Sequence, residues 1–294
     1  MTGALGFVGL NLVPALESAG FRVSGVDREL EIADPAAVDG LVQRLRPDVI
    51  VHLAAQSSVA VSGAAPVETF RTNFLGTRSV LEAANRLDAP VRVLVVGSAD
   101  EYGSASPGDP PFRESSPLRP RSPYARSKAA ADLLAAGYAR RGLDVVRVRA
   151  FNHTGPGQTD VFVLPAFARQ VAEISCGLRE PEMRVGNLDS IRDFLDVSDV
   201  VAAYLKLLDP STPSGVYNVA SGTGTPLRQH LDVLFDLAGV SPVVEIDPKL
   251  HRPTDLSVGD SGKLRDATGW APRVPFDDTL RRMLESWRER VSAA

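Results

Sequence analysis

Short apolar runs rich in β-branched residues recur through the first half of the chain. They cover residues 21–26, 48–52, 91–96 and 143–148, and an amphipathic or alanine-rich stretch separates each run from the next. Strands that alternate with helices in this way form βαβ units and a parallel sheet. Continuous apolar runs are typical of strands that helices cover on both faces. The pattern therefore predicts a doubly wound α/β fold with a parallel sheet.

This alternation weakens after about residue 150, where a Gly/Pro-rich turn at 155–157 and irregular segments around 181–193 follow. We predict a dinucleotide-binding domain of residues 1–151 plus about 190–210, because one more strand and helix there could return to the sheet. A smaller C-terminal substrate-binding lobe is predicted from about 152–189 and 211–294. The run 216–219 and a final helix at 277–290 are assigned to that lobe.

A glycine-rich segment opens the chain, with Gly3, Gly6 and Gly9 in front of a helical run at 10–18. Such glycines let the backbone turn tightly and approach a pyrophosphate at the helix N-terminus, as in Rossmann-type folds. Asp27 ends the next predicted strand, where an acidic side chain binds ribose hydroxyls and favours NAD. The adjacent Arg28 is suited to a 2′-phosphate, so NADP stays open.

Only Met1 and Thr2 precede Gly3, so the predicted sheet lacks its first strand. Losing a central strand of about five residues leaves unpaired ladder groups, each costing roughly 1–3 kcal/mol if buried. We expect the natural start to lie upstream, with Met1 in the last strand position. The alternative is a destabilised relic that binds its cofactor weakly.

A tyrosine and a lysine four residues apart, Tyr124 and Lys128, open an alanine-rich helix and lie on one face of it. A nearby ammonium favours phenolate, so we expect Lys128 to lower the pKa of Tyr124. By itself this spacing is more often solvated surface. Ser98 and Asp100 follow the apolar run 93–96, at the sheet edge where α/β folds bind ligands. Ser98 is either a donor to a substrate oxygen or a turn-capping serine.

Composition narrows the class of protein. Hydrophobic residues make up 44% and charged residues 23% of the chain, the net charge is -4, and Cys176 is the only cysteine. These values are typical of soluble globular proteins and argue against nucleic acid as a partner. One cysteine allows no intrachain disulfide, and no apolar run approaches the roughly 18 residues that a membrane span needs. We expect a cytoplasmic protein without a metal site.

Taken together, the motifs resemble the extended short-chain dehydrogenase/reductase family over essentially the whole chain. The matching segments are 2–9, 52–57, 73–77, 98–103, 124–128, 151–153 and 192–197. The resemblance implies a nicotinamide cofactor, NAD or NADP, with Lys128 also holding its ribose. It implies that Asn73 braces the active-site helix and that His153 lies beside the nicotinamide. The implied cofactor-binding positions are Gly3, Gly6, Phe7, Val8, Gly9, Asp27, Arg28, Ile32, Leu53, Ala54, Ala55, Gln56, Asn73, Tyr124, Lys128 and His153.

Within the family the chain is most similar to enzymes of GDP-linked 6-deoxyhexoses, namely GDP-mannose 4,6-dehydratases and the reductases that act on their 4-keto product. The segments that carry this likeness are 54–62, 151–158, 186–189 and 252–255. Guanidinium groups chelate phosphate oxygens well, although each arginine singly is as easily a surface residue. The implied substrate-binding positions are Ser57, Asn152, Arg192, Arg252 and Asp255.

The choice of reaction depends on the carboxylate two residues after Ser98. The resemblance implies Thr and Glu in dehydratases, whereas this chain has Ser98 and the shorter Asp100. We therefore expect reduction of a 4-keto group, with Tyr124 donating the proton, Ser98 polarising the carbonyl and Lys128 tuning the tyrosine. The alternatives are a 4,6-dehydratase, a 4-epimerase, or a non-catalytic NAD(P)-sensing protein. Such enzymes commonly pair through helices that flank the active site, so a homodimer is the default expectation.

Overall fold

The computed structural model describes residues 1–250 and 255–293. Its helices, in chain order, are α1 (Phe7–Ser18), α2 (Pro35–Leu45), α3 (Val59–Ala64), α4 (Pro66–Phe70), α5 (Gly76–Asn85), α6 (Pro123–Arg140), α7 (Val163–Ser175), α8 (Val197–Leu208), α9 (Leu227–Ala238), α10 (Gly262–Thr268) and α11 (Phe276–Ser292). A π-helical turn, Arg71–Leu75, joins α4 to α5. A 3-10 turn, Ala99–Glu101, follows the strand at 92–96 and precedes α6.

The strands are β1 (Val49–His52), β2 (Arg92–Val96), β3 (Asp144–Ala150), β4 (Asn152–Thr154), β5 (Glu182–Val185), β6 (Ile191–Asp196), β7 (Gly215–Val219), β8 (Gly224–Pro226), β9 (Val243–Ile246) and β10 (Leu256–Ser257). The main sheet is parallel in the order β1-β2-β3-β7, with Val51 opposite Leu94 and Leu94 opposite Val146. Its strands are almost entirely buried, which confirms the predicted parallel sheet.

Helices cover both faces of the main sheet, as the continuous apolar strands predict. On one face, Leu12 of α1 and Tyr204 of α8 share a core with Leu94 and Val146. On the other face, α2, α5 and α6 contribute to a core that includes Val93 and Val145. The predicted α/β class is therefore confirmed, with a separate core around α7, α9 and α11 in the second half of the chain.

The predicted strand at 21–26 is wrong as a regular element. Only Val26 pairs, in an isolated bridge to Thr2, and Thr2 also bridges His52. Thr2 N donates to Val51 O at 3.0 Å and Val26 N donates to Met1 O at 2.9 Å. Met1 and Thr2 are too short a segment for residues 21–26 to form a regular ladder with them. Thr2 therefore lies between the 21–26 segment and β1 and bridges both.

Two assignments in the second half of the chain are corrected. The run 216–219 belongs to β7, an edge strand of the main sheet beside β3, and not to the smaller lobe. The strand at 191–196 does not return to the main sheet, because β6 pairs with β4, β8 and β10 instead. Only the helix that follows it, α8, packs on the main core. Apolar periodicity identifies a strand but does not specify its neighbour, which explains both errors.

Candidate active site

Tyr124 and Lys128 lie at the start of α6, as predicted. Ser122 Oγ accepts a hydrogen bond from Ala125 N at 3.0 Å, and Pro123 occupies the first turn, so the helix begins at a fixed point. Both side chains are buried. Lys128 Nζ donates to Val96 O at 2.8 Å, and Tyr124 shares a side-chain hydrogen bond with Ser98. The structure therefore brings all three predicted residues to the carboxyl end of β2.

The electrostatics of this pair correct one expectation. Burial raises the pKa of Tyr124 above its usual value, and the Asp100 carboxylate raises it further, whereas the Ser98 hydrogen bond acts in the opposite direction. Burial lowers the pKa of Lys128 to about 8. The expectation that Lys128 lowers the pKa of Tyr124 is wrong here, since the ammonium points to a backbone carbonyl. Tyr124 is consequently a protonated phenol at neutral pH and is suited to donate a proton.

Ser98 serves as a turn cap and as a neighbour of Tyr124 at once, so the two interpretations of this residue do not exclude each other. Its Oγ accepts from Asp100 N at 3.2 Å at the start of the 3-10 turn. Its backbone N donates to Glu101 Oε1 at 2.8 Å. Glu101 was not among the predicted site residues.

The glycine loop packs as a dinucleotide cradle requires. Gly3 has a φ of 70°, and a Cβ atom there would lie 2.8 Å from Ala54 N. A Cβ on Gly9 would lie 2.3 Å from Gly3 O. Gly6 precedes α1, and no side chain caps this helix in the part of the chain described, so its first N–H groups face the loop. A helix start of this kind binds anions.

The remaining predicted cofactor positions surround this loop. The rings of Phe7 and His153 stack with centroids 6.5 Å apart and planes 9° from parallel. Asp27 Oδ2 accepts from Leu5 N at 2.9 Å, and Arg28 is exposed beside it. The half-buried or buried positions nearby are Val8, Ile32, Leu53, Ala54, Ala55 and Gln56. Their cofactor contacts stay predictions.

Asn73 ties two parts of the site together. Its Oδ1 accepts from Gln56 N at 2.8 Å, and its Nδ2 donates to Gln56 O at 3.0 Å and to Ser127 Oγ at 2.9 Å. Ser127 lies on α6 between Tyr124 and Lys128. Asn73 therefore connects the segment after β1 to the active-site helix, from within a π-helical turn of the kind that recurs at functional sites.

His52 is a residue that the motif analysis did not single out for a role of its own. It is buried, with Nδ1 2.8 Å from Thr2 Oγ1 and Nε2 3.1 Å from Thr77 Oγ1. Burial is the largest cause that lowers its pKa, to about 3, so the ring is neutral. The signal in the sequence was a polar residue at the end of an apolar strand.

A buried charge network beneath α6 was also missed. Asp132 accepts from Arg149 Nη2 at 2.7 Å and from Arg147 Nη1 at 3.0 Å, and Arg149 also donates to the Tyr102 hydroxyl at 3.0 Å. The available signal was a pair of arginines at alternate positions of an otherwise apolar strand, β3. Such arginines require buried acidic partners.

The predicted substrate positions are only partly brought together. Arg192 and Asp255 form a bidentate ion pair, with Nη2 2.9 Å from Oδ2 and Nε 3.2 Å from Oδ1. Asn152 Nδ2 donates to Asp193 O at 3.3 Å, and Ser57 is exposed after β1. Arg252 lies outside the described residues.

Within residues 1–250 and 255–293, no group of three or more His, Cys, Asp or Glu side chains is arranged to hold a metal ion. The same residues contain no helix that is both long enough and apolar enough to cross a membrane.

Comparisons with known proteins place this geometry in a family. The model of the GDP-mannose 4,6 dehydratase family matches residues 28–283. The chain is 36% identical to GDP-6-deoxy-D-mannose reductase of Pseudomonas aeruginosa, over 99% of this chain and 97% of that protein. The solved structure of RMD from Pseudomonas aeruginosa complexed with NADPH superposes with a TM-score of 0.88 at 35% identity, covering 98% and 97% of the two chains. UDP-glucose 4-epimerase of Thermus thermophilus, complexed with NAD, gives 0.86 at 30% identity, covering 98% and 97%.

Proposed function

Since this chain belongs to the GDP-mannose 4,6-dehydratase family and is an oxidoreductase of the extended short-chain dehydrogenase/reductase type, we propose that it reduces GDP-4-dehydro-6-deoxy-D-mannose to GDP-D-rhamnose with NAD(P)H. The observation that carries this proposal is the buried Tyr124 phenol, which shares a hydrogen bond with Ser98. Reduction of a ketone needs a proton donor at that place. The reductase relative matches nearly the whole chain, which supports the same substrate.

The residues of the chain fit a nicotinamide dinucleotide. Gly3 and Gly9 let the loop pack tightly on neighbouring backbone, with which a Cβ atom at either position would collide, and the start of α1 favours a phosphate charge. When bound, the cofactor supplies the hydride that reduces the C4 carbonyl. Asp27 beside the loop repels a 2′-phosphate, so we propose that NADH is preferred although a related structure holds NADPH.

In the proposed reaction, Ser98 Oγ donates a hydrogen bond to the C4 oxygen and polarises it. Tyr124 Oη transfers its proton to that oxygen as the carbonyl becomes an alcohol. Lys128 lies one helical turn from Tyr124, and its ammonium is hydrogen-bonded to the Val96 carbonyl at the end of the strand that presents Ser98. One hydride and one proton thus account for the alcohol product.

The substrate nucleotide is proposed to lie in the smaller lobe, which by strand pairing includes β4, β6, β8 and β10 but not β7. Arg192 and Arg252 would bind its diphosphate, with Asn152, Ser57 and Asp255 around it. Arginine suits this role because its fork of donors matches phosphate oxygens.

A 4,6-dehydratase is the second candidate, because Asp100 lies close enough to Tyr124 to raise its pKa and is a potential base. Dehydration returns the hydride to the product, so it consumes no cofactor. A 4-epimerase also consumes no cofactor. Because one structural relative is an epimerase, the assay below also considers this activity.

The decisive assay gives the purified protein NADH or NADPH together with GDP-4-dehydro-6-deoxy-D-mannose. We expect one cofactor oxidised per GDP-D-rhamnose formed. Formation of the 4-keto product from GDP-mannose, without net oxidation of the cofactor, would instead identify a dehydratase. Tyr124→Phe should bind cofactor normally and turn over at least about a hundredfold more slowly. Cofactor binding without any turnover would favour a sensing protein.

We further propose that the protein is a cytoplasmic homodimer that pairs through the helices beside the active site. Support comes from apolar side chains left exposed on this face, since Leu133 of α6 is 60% exposed and Val67 of α4 is 76% exposed. Cys176 is a free thiol, as a reducing compartment permits. Sedimentation equilibrium of wild type and Leu133→Glu tests the pairing, with a monomeric wild type counting against it.

A further inference from the structure

Glu101 is a buried carboxyl group that the proposed reaction does not use. Its side chain is 0% exposed at the end of the 3-10 turn that follows β2. Oε1 accepts from the backbone N of Ser98 at 2.8 Å. Oε2 has no hydrogen-bond partner among the described residues, and its closest cation is Arg149, with Nε 3.4 Å away. A half-satisfied buried carboxyl group is costly and calls for an explanation.

The backbone leaves space for this carboxyl group. A Cβ atom on Gly97 would lie 2.3 Å from Glu101 Oε1 and 2.9 Å from Val148 O. Gly97 links the end of β2, where Lys128 is bound, to Ser98. The carboxyl group therefore lies directly against the backbone that presents both Ser98 and the Val96 carbonyl.

Charged groups from two elements face Glu101. Lys128 and Asp132 lie on α6, and Arg149 lies on β3. Tyr124, also on α6, is close enough for the charge of Glu101 to affect it. Burial raises the pKa of Glu101 well above its usual range and Asp132 raises it further, while Arg149 and Lys128 oppose the shift. In return, ionised Glu101 raises the pKa of both Lys128 and Tyr124.

We propose that Glu101 is a positioning residue that fixes Ser98 through its backbone N–H and holds a negative charge against the start of α6, which packs on the same 3-10 turn and carries Tyr124 and Lys128. Loss of the Glu101 proton keeps Lys128 charged and Tyr124 a phenol, so the site remains able to donate a proton as the pH rises. The kinetic part of this inference rests on the proposed reductase activity.

The test is the pH profile of kcat/KM for ketone reduction in three variants. Glu101→Gln keeps an acceptor for Ser98 N but has no charge, so the alkaline limb should move down by about one pH unit. Glu101→Leu also loses the acceptor, and its rate should fall about tenfold or more at every pH. Glu114→Gln is the matched control, because Glu114 Oε1 accepts from Asn218 N at 2.8 Å in the same manner but does not act on Lys128 or Tyr124. A Glu101→Gln profile that superimposes on wild type would overturn the proposal.

A second measurement is independent of activity. Infrared difference spectra across neutral to alkaline pH should show the loss of a protonated carboxyl C=O band in the wild type. Glu101→Gln should not show this change, and Glu114→Gln should show it as the wild type does. If the ketone is not reduced, this band still decides whether Glu101 titrates. If reduction proceeds but the band is missing from the wild type, the inference fails and the proposed function stands.

Discussion

The carboxylate of Asp27 closes onto the glycine loop, with its Oδ2 2.9 Å from the backbone N of Leu5. A fixed negative charge here is suited to accept hydrogen bonds from ribose hydroxyls and repels a phosphate in their place. This relationship connects the end of the 21–26 segment to the loop even though that segment forms no regular strand.

Asp27→Asn should therefore weaken discrimination between the two nicotinamide cofactors. We expect kcat/KM for NADPH relative to NADH to rise about tenfold, because the amide no longer repels the 2′-phosphate and Arg28 is beside it. Steady-state rates with each cofactor at low ionic strength measure this ratio. Glu17→Gln, which removes the same charge from the exposed side of α1, should leave it unchanged.

The main features of this site were predictable because they depend on local chemistry. Glycines at fixed spacing, and a tyrosine and lysine one helical turn apart, act through residues that are close in sequence, so their arrangement follows from local structure. His52 was not predictable in this way, since its partners Thr2 and Thr77 lie far along the chain. Glu101 bonds Ser98 three residues earlier, but its charged neighbours Lys128, Asp132 and Arg149 are distant in sequence. The partner of β7 was missed for the same reason, because pairing with β3 is a tertiary choice.

Substitution of Gly9 tests whether close backbone packing holds the loop. In Gly9→Ala the new methyl group would lie 2.3 Å from Gly3 O and 2.5 Å from Ala4 O, both backbone atoms that cannot rotate away. We expect cofactor affinity to fall at least about tenfold and stability by about 1–3 kcal/mol. Fluorescence titration with NADH and urea unfolding measure the two effects. Gly40→Ala is the matched control, since nothing lies within 4 Å of its Cβ position in α2, and it should stabilise the protein by about 0.5–1 kcal/mol.

The neutral ring of His52 makes stability depend on pH. Its pKa is depressed to about 3 in the folded protein, against about 6.5 when unfolded. The unfolded chain thus binds the proton more readily, and the stabilisation present above about pH 6.5 is lost as the pH falls toward 3. Between pH 7.5 and 5 this residue should cost about 2 kcal/mol, at about 1.4 kcal/mol per pH unit.

Urea unfolding of wild type and His52→Asn across this range isolates that contribution. The variant should show a shallower pH slope and weaker NADH binding, because Thr2 loses its partner beside Gly3. His230→Asn also removes a buried ring of lowered pKa, but in the other lobe. It should flatten the slope without affecting NADH binding. Equal slopes in wild type and His52→Asn would contradict a neutral His52.

The ion pair between Arg192 and Asp255 gives a prediction for substrate affinity. The Nε and Nη2 atoms of Arg192 donate to the two carboxylate oxygens of Asp255. This pairing neutralises the positive charge of Arg192 that would otherwise attract a diphosphate. Asp255→Asn should therefore tighten binding of GDP severalfold at low salt, whereas Arg192→Gln should weaken it by about tenfold or more. Calorimetric titration with GDP measures both, and guanosine, which has no phosphate, should bind the two variants alike. Weaker GDP binding in Asp255→Asn would mean that this carboxylate serves to orient Arg192, and that the proposed competition with phosphate is wrong.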